Sequence, residues 1–430
     1  MAINSEIARK SMEPGRSFDP FADNYLGDPY AFYGPLRQQS PVFYSENLGY
    51  WIVTRYDDVK ECFRDQSRFS AAITLNQLKP LSQQAITTIV EGGAVPGLAL
   101  VNEDPPVHSE RRRRLMPAFT PQKIRALESR IRDYCKAYVD RFVTRGYADL
   151  VADFTWEIPA LVIFNFTGVP NEEVEICKSY ATSYALFNWG FPSDEEQLQL
   201  SARLAEYWRY AKMHVERLRK NLGEDFISEM IRGQLEDPKL FDDNYLVWMM
   251  MNFTFAGHET TTAASANMFR ALLENRSQWD EICTDSSLIP NAVEECLRYA
   301  SSVIAWRRLT KAPVDIGGVS VPADAKLLIL SGSANHDERH FVSGDELDIH
   351  RKTASQHVSF GFGAHLCMGA PLARLEMKIM LEEVSRRLPH MRLVAEQSFE
   401  FSANTSFRGP KKVLVSWDPT LNPMPEDRRI

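Results

Sequence analysis

A single cysteine set among glycines carries the first chemistry in this sequence. Cys367 lies in Phe360-Gly361-Phe362-Gly363-Ala364-His365-Leu366-Cys367-Met368-Gly369, and Ala370-Pro371-Leu372-Ala373-Arg374 follows. Gly361, Gly363 and Gly369 permit backbone angles that other residues resist, and Pro371 suits a first helical turn. Apolar residues at helical spacing then run from Leu372 to Leu388. The spacing therefore puts Cys367 at the mouth of a helix, where backbone N–H groups and the positive dipole end favour a thiolate. A thiolate held that way serves as a nucleophile or a metal ligand. A structural buried cysteine is the plain alternative and, for an isolated cysteine, the commoner one.

A second stretch breaks the local rules of its own element. Tyr245 to Leu272 reads as one helix without proline, capped by Phe241-Asp242-Asp243, and its first half is apolar nearly all round, as in a buried helix. Inside it stands Ala256-Gly257-His258-Glu259-Thr260-Thr261. Glycine weakens a helix and a buried carboxylate needs compensation, so the violation points to function more than to packing. A third stretch, Asp104-Pro105-Pro106-Val107-His108-Ser109-Glu110, opens a run of four arginines, Arg111 to Arg114. One short basic run in an acidic chain is usually a solvated helix face.

The elements that must position these groups follow from periodicity. Pro29–Gln39 suits a helix, Val42–Tyr44 and Tyr50–Thr54 a hairpin, and Asp58–Arg64 another helix. Ala71–Glu103 lacks a sustained helical period yet holds many apolar residues, which marks it as functional or mobile. Helices are expected over Pro121–Arg145, Asp153–Val169, Glu195–Lys220 and Pro290–Arg298, and strands over Val314–Pro322, Lys326–Leu330 and Val413–Trp417. Tyr180–Phe191 is aromatic-rich, which suits helix packing.

Phe360, Gly363, His365, Cys367 and Gly369 match Phe-x-x-Gly-x-His-x-Cys-x-Gly, with Leu-Ala-Arg after it. This resembles the haem-binding loop of the cytochrome P-450 monooxygenases. The resemblance implies a mainly α fold with a small β region, and haem b buried between the helix around 245–272 and the Cys367 loop. It makes Cys367 the axial ligand of the iron, a class in which thiolate electron density favours O–O cleavage. Phe360 and Gly369 belong to the same cofactor loop. Ala256 and Gly257 then make room for O2, Thr260 meets the bound oxygen, and Glu259 helps deliver protons. His258 is expected to point away. His108 and Arg112, at i and i+4 on one helix face, are implied partners of a haem propionate, as are Arg307 (in Arg-x-Leu-Thr) and His365. The other arginines of the run are left as exposed candidates for docking an acidic redox partner. Glu295 and Arg298 resemble the family's Glu-x-x-Arg structural pair, whose third partner falls within Gly344–Arg351 without being assignable.

By the same resemblance the substrate pocket draws on Leu98, Leu100, Phe187, Trp189, Val303, Ile304 and Thr405, which suits a small to medium-sized hydrophobic substrate. The end of the chain, Asn404 to Pro419, resembles haem domains of self-sufficient bacterial members, which are fused to a reductase carrying FMN and a 2Fe-2S centre. No such region occurs in this sequence, so electrons are expected from a fused or separate reductase, with a peroxide-driven route as a companion expectation. The expected organisation is a flexible N-terminus over 1–20, one haem-binding monooxygenase domain over 21–419, and a tail or linker start over 420–430. A dedicated peroxygenase, a haem-based gas sensor and a cysteine hydrolase are the competing readings. The Glu259-Thr260 pair argues against the first two, and the lack of an oxyanion-hole motif against the third.

Composition bounds the rest. The 430 residues are 44% apolar and 25% charged with net charge −8, which allows a large core and disfavours nucleic acid as a partner. No apolar run is long enough for a membrane span, and Met1–Arg16 has no signal-like apolar core. Cys62, Cys135, Cys177, Cys283, Cys296 and Cys367 are scattered, without metal or disulfide spacing. A cytoplasmic monomer is the expectation.

Overall fold

The computed structural model describes residues 17–421. The expected loose segment 1–20 lies mostly outside that range, as does most of 420–430. Phe18, within the former, is nonetheless buried edge-on against Tyr25 and Phe43.

One helix, Asp243–Glu274, runs through the protein and is called the central helix here. Asp242 caps it by accepting the Tyr245 N–H at 2.8 Å, which satisfies an N–H that has no intrahelical partner. Tyr245, Leu246, Met249, Met250, Met251, Met268 and Phe269 are all buried on it. An apolar surface on every side demands cover on every side. That cover comes from helices Glu157–Phe166, Val174–Trp189, Asp194–Lys220, Ile289–Tyr299 and Ala370–Arg387. The helix expected over Pro121–Arg145 is divided into Pro121–Ala126 and Glu128–Phe142. Ala71–Glu103 contains one α-helix, Gln83–Glu91, capped by Ser82, and a short 3-10 helix, Leu100–Asn102.

The β structure is peripheral. Strands β1 (Val42–Ser45) and β2 (Tyr50–Val53) form the expected hairpin, and β3 is Phe69–Ser70. Then come β4 (Tyr147–Asp149), β5 (Trp306–Thr310), β6 (Val314–Ile316), β7 (Val319–Val321), β8 (Lys326–Ile329), β9 (Arg392–Leu393) and β10 (Leu414–Ser416). The larger sheet has the order β1-β2-β8-β5-β3, with β2 and β8 parallel; β4, β10 and β9 form a second sheet.

A buried ionic cluster fastens the segment ahead of the cysteine loop. Glu295 and Arg298 are both fully buried and bonded at 2.7 and 2.9 Å. Arg351 supplies the third member, its Nε 3.0 Å from Glu295 Oε1. Arg298 also donates to the carbonyls of Asn335, Gly344 and Glu346. Each guanidinium N–H thus finds an acceptor, the condition under which buried charge is tolerable.

Candidate functional site

The cysteine loop is shaped by two glycines, not three. Gly361 and Gly363 have φ of 72° and 74°, the left-handed region that glycine enters without strain. Gly363 also packs so closely that a Cβ would lie 3.0 Å from the Arg64 Cα. Gly369 has φ −79°, an ordinary helical angle, so its expected role as a backbone special is corrected. What Gly369 contributes is its N–H, which together with that of Ala370 bonds the sulfur. The Cys367 N–H closes the loop on the Phe360 carbonyl at 3.0 Å. Pro371 occupies the first turn of Ala370–Arg387.

Burial pushes the Cys367 thiol up, against the backbone N–H groups and the Arg112 and Arg374 charges. The helix mouth alone therefore does not secure a thiolate here. A cation sharing the sulfur would, since metal binding takes the deprotonated form. Cys367 is exposed and lines a cavity of about 290 Å³.

The central helix forms another part of the cavity wall. Ala256, Gly257, Thr260, Thr261 and Ala264 line the cavity. Successive helical residues turn by about 100°, so the motif is divided among faces. Thr260 looks into the cavity, its hydroxyl donating to the Ala256 carbonyl at 2.6 Å. His258 faces backward, Nε2 3.0 Å from the Trp156 carbonyl, and burial pulls it down to about 3. Glu259 lies to the side, accepting from the Thr182 hydroxyl at 2.6 Å; burial pushes its carboxyl up. Gly257 is a packing glycine: a Cβ there would lie 2.3 Å from Ile163 Cγ1.

One rim is cationic and under-satisfied. His108 and His365 stack at 3.9 Å. Both ring nitrogens of His108 and Nε2 of His365 are buried without a hydrogen-bond partner. Burial and the neighbouring Arg112 and Arg308 charges pull His108 down to about 4; burial, Arg308, His108 and Arg112 pull His365 to about 2. Arg112 donates to the Leu366 carbonyl at 2.6 Å, which leaves further N–H groups available. Unpaired buried donors beside guanidinium groups suit an anion.

The second arginine of this rim is not the expected one. Side chains alternate along a strand, and on β5 it is Trp306 and Arg308 that line the cavity. Arg307 points the other way and donates to the carbonyls of Asn76 and Asn188. Burial draws both guanidinium groups down to about 10. In the basic run, Arg111 is not an exposed docking residue either, since it pairs with the buried Glu103.

Leu100, Trp189 and Val303 line the cavity as expected. Leu98 is instead 52% exposed. Phe187 is buried in the core off the cavity, and Ile304, adjacent to Val303 on extended chain, packs onto Gly332. Thr405 bonds the Trp189 carbonyl through its N–H at 3.0 Å. The wall is completed by Leu75, Val101, Phe119, Phe255 and Phe407, from segments far apart in sequence. Phe407 is placed by the Val303–Phe407 bridge. The bulky aromatic signal was present there, without a spacing that marks it as cavity-facing.

Among the described residues no group of three or more His, Cys, Asp or Glu could hold a metal ion. An ion on Cys367 must therefore bring its other ligands with it. An apolar group carrying both an ion and carboxylates fits the site: its lining brings together the Cys367 sulfur, small residues of the central helix, cations and orphaned imidazoles.

The sequence matches the family model "Cytochrome P450" over residues 43–289 and 283–391. The chain belongs to the cytochrome P450 family. Cytochrome P450(MEG) of Priestia megaterium is 31% identical over 90% of this chain and 93% of its own length. An intact type IV self-sufficient cytochrome P450 monooxygenase is similar at 48% identity and TM-score 0.92, over 96% of this chain. This P450 spans 54% of that enzyme's length. The P450 heme domain of Tepidiphilus thermophilus matches at 42% identity and TM-score 0.91, over 95% of this chain and 98% of its own. Membership makes the protein an oxygen-inserting oxidoreductase that uses haem and O2. No helix among the described residues is long and apolar enough to cross a membrane.

Proposed function

We propose that residues 21–419 form a haem-thiolate monooxygenase unit acting on small to medium-sized hydrophobic substrates. The supporting observation is that Cys367 and Thr260 line the same apolar cavity. Bound there, haem supplies oxygen activation and transfer to substrate, chemistry that belongs to the cofactor. The protein's part is positioning and electrostatics. Cys367 ligates the iron, with the Gly369 and Ala370 N–H groups tempering its charge. His108, Arg112, Arg308 and His365 hold the propionates. Thr260 and Glu259 conduct protons to the cavity face of the central helix, and the aromatic wall excludes water around the substrate.

Electrons come from a reductase carrying FMN and a 2Fe-2S centre, fused or separate. The likeness to an intact self-sufficient enzyme supports that donor. The test is the carbon-monoxide spectrum of the reduced protein. Thiolate ligation gives a strongly red-shifted Soret band, which Cys367→Ser should abolish. A variant that keeps both the band and substrate oxidation refutes the assignment.

A further inference from the structure

We propose that Thr182 is the solvent-side positioning residue of Glu259, its hydroxyl both orienting the carboxyl and returning protons to it. The inference rests on the reading of Glu259 as a proton carrier. Thr182 belongs to helix Val174–Trp189 and is exposed. It shares an outward stripe with the exposed Glu175 and Ser179, spaced as residues on one helix face are. Its Oγ1 donates to Glu259 Oε1 at 2.6 Å, short for a neutral donor and typical of a charge-assisted bond.

No cation competes for this carboxylate among the described residues. Lys178, one turn earlier, is held by Glu157 at 2.5 Å and Glu175 at 2.8 Å. His258 on the central helix is turned to Trp156, and Tyr184 on the neighbouring turn donates to Asn252. Glu259 is thus held by a neutral hydroxyl, and an ion pair that would freeze it as a carboxylate is missing. A hydroxyl donates and accepts at once. After Glu259 has passed its proton inward, Thr182 Oγ1 gives its own proton to the carboxylate and takes one from a solvent hydronium ion, which is left as water. The net change is one solvent proton on Glu259 and a restored hydroxyl. Glu259 precedes Thr260 in the sequence, so it joins an exposed helix surface to the cavity wall.

The test uses the holoenzyme with its electron donor and compares Thr182→Val with Thr182→Ser. Valine keeps the shape and removes the hydroxyl; serine restores it. Valine should lower product formed per electron pair by about ten-fold, the worth of one bond to a charged group, with hydrogen peroxide released instead. The solvent deuterium isotope effect should rise. In infrared titration the Glu259 carboxyl should shift to higher pH, because a bond favouring the charged form is gone. Serine should return all three readouts toward the parent. In a Glu259→Gln background, Thr182→Val should change nothing further. Unchanged coupling and isotope effect in Thr182→Val overturn the proposal, as does an equal loss in the Glu259→Gln background. If the valine variant fails to fold, Thr182→Ala carries the same comparison. An intact carbon-monoxide spectrum with a null Thr182 result refutes this inference alone; its loss in the parent protein refutes the site assignment.

Discussion

Gly257→Ala is the sharpest test of how the cavity is built. The substitution adds one methyl where the central helix crosses Glu157–Phe166. That methyl would lie 2.3 Å from Ile163 Cγ1, 2.6 Å from Cδ1 and 2.8 Å from Cβ. Carbon atoms rest at about 3.5–4.0 Å, so more than an ångström must be recovered, and Ile163 is 5% exposed with little room to yield. Overpacking of this kind costs about 1–3 kcal/mol. Against it stands a gain of about 0.8–1 kcal/mol from alanine's better helix propensity. The expected net effect is a loss of about 1 kcal/mol. The cycle with Ile163→Ala isolates the clash, since that change removes two of the three obstructing atoms. In the Ile163→Ala background Gly257→Ala should approach its propensity gain, giving a coupling of about 1–2 kcal/mol. Urea unfolding at matched haem loading, followed by far-ultraviolet circular dichroism, measures all four corners. Stabilisation of the parent by Gly257→Ala together with additivity across the cycle would refute the close-approach reasoning.

Three other perturbations separate roles that lie close in sequence. Arg308→Gln should weaken haem retention with little loss of apoprotein stability, whereas Arg307→Gln should destabilise the fold and leave haem content per folded molecule near the parent's; haem content and urea midpoints read both. Glu295→Gln leaves Arg298 and Arg351 buried without their carboxylate and should cost about 3–5 kcal/mol, seen as a fall in denaturation midpoint. His258 is depressed to about 3 in the folded protein, from an ordinary 6.5. Above pH 6.5 neither state is protonated and the group adds no pH dependence. Between 6.5 and about 3 the unfolded chain alone takes the proton, so stability falls by up to about 1.4 kcal/mol per pH unit. His258→Gln, which keeps a donor for the Trp156 carbonyl, should flatten that acid limb in unfolding measured from pH 7 to 4.

Local pattern was enough to place the cysteine loop, the central helix and the first hairpin. Cys367 in its glycine loop, the rule-breaking run from Ala256 to Thr261 inside an apolar helix, the Asp242 cap and the β1–β2 hairpin all depend on neighbours within a few residues. Turn geometry, helix period and capping act over that range. What tertiary structure decided were matters of direction. Arg308 displaces Arg307 at the cavity rim because strand pairing of β5 with β3 and β8 chose which face turns inward, and two adjacent arginines carry no mark of that choice. Ile304 and Thr405 turn away from the cavity and Phe407 enters it for a similar reason, through a bridge between segments a hundred residues apart. Gly369 bears no conformational burden, and the sulfur it bonds is governed by burial that no local motif records. The partners of Glu295 and Glu259, Arg351 and Thr182, are distant in sequence, and only the packed arrangement of the chain brings each pair within hydrogen-bond reach.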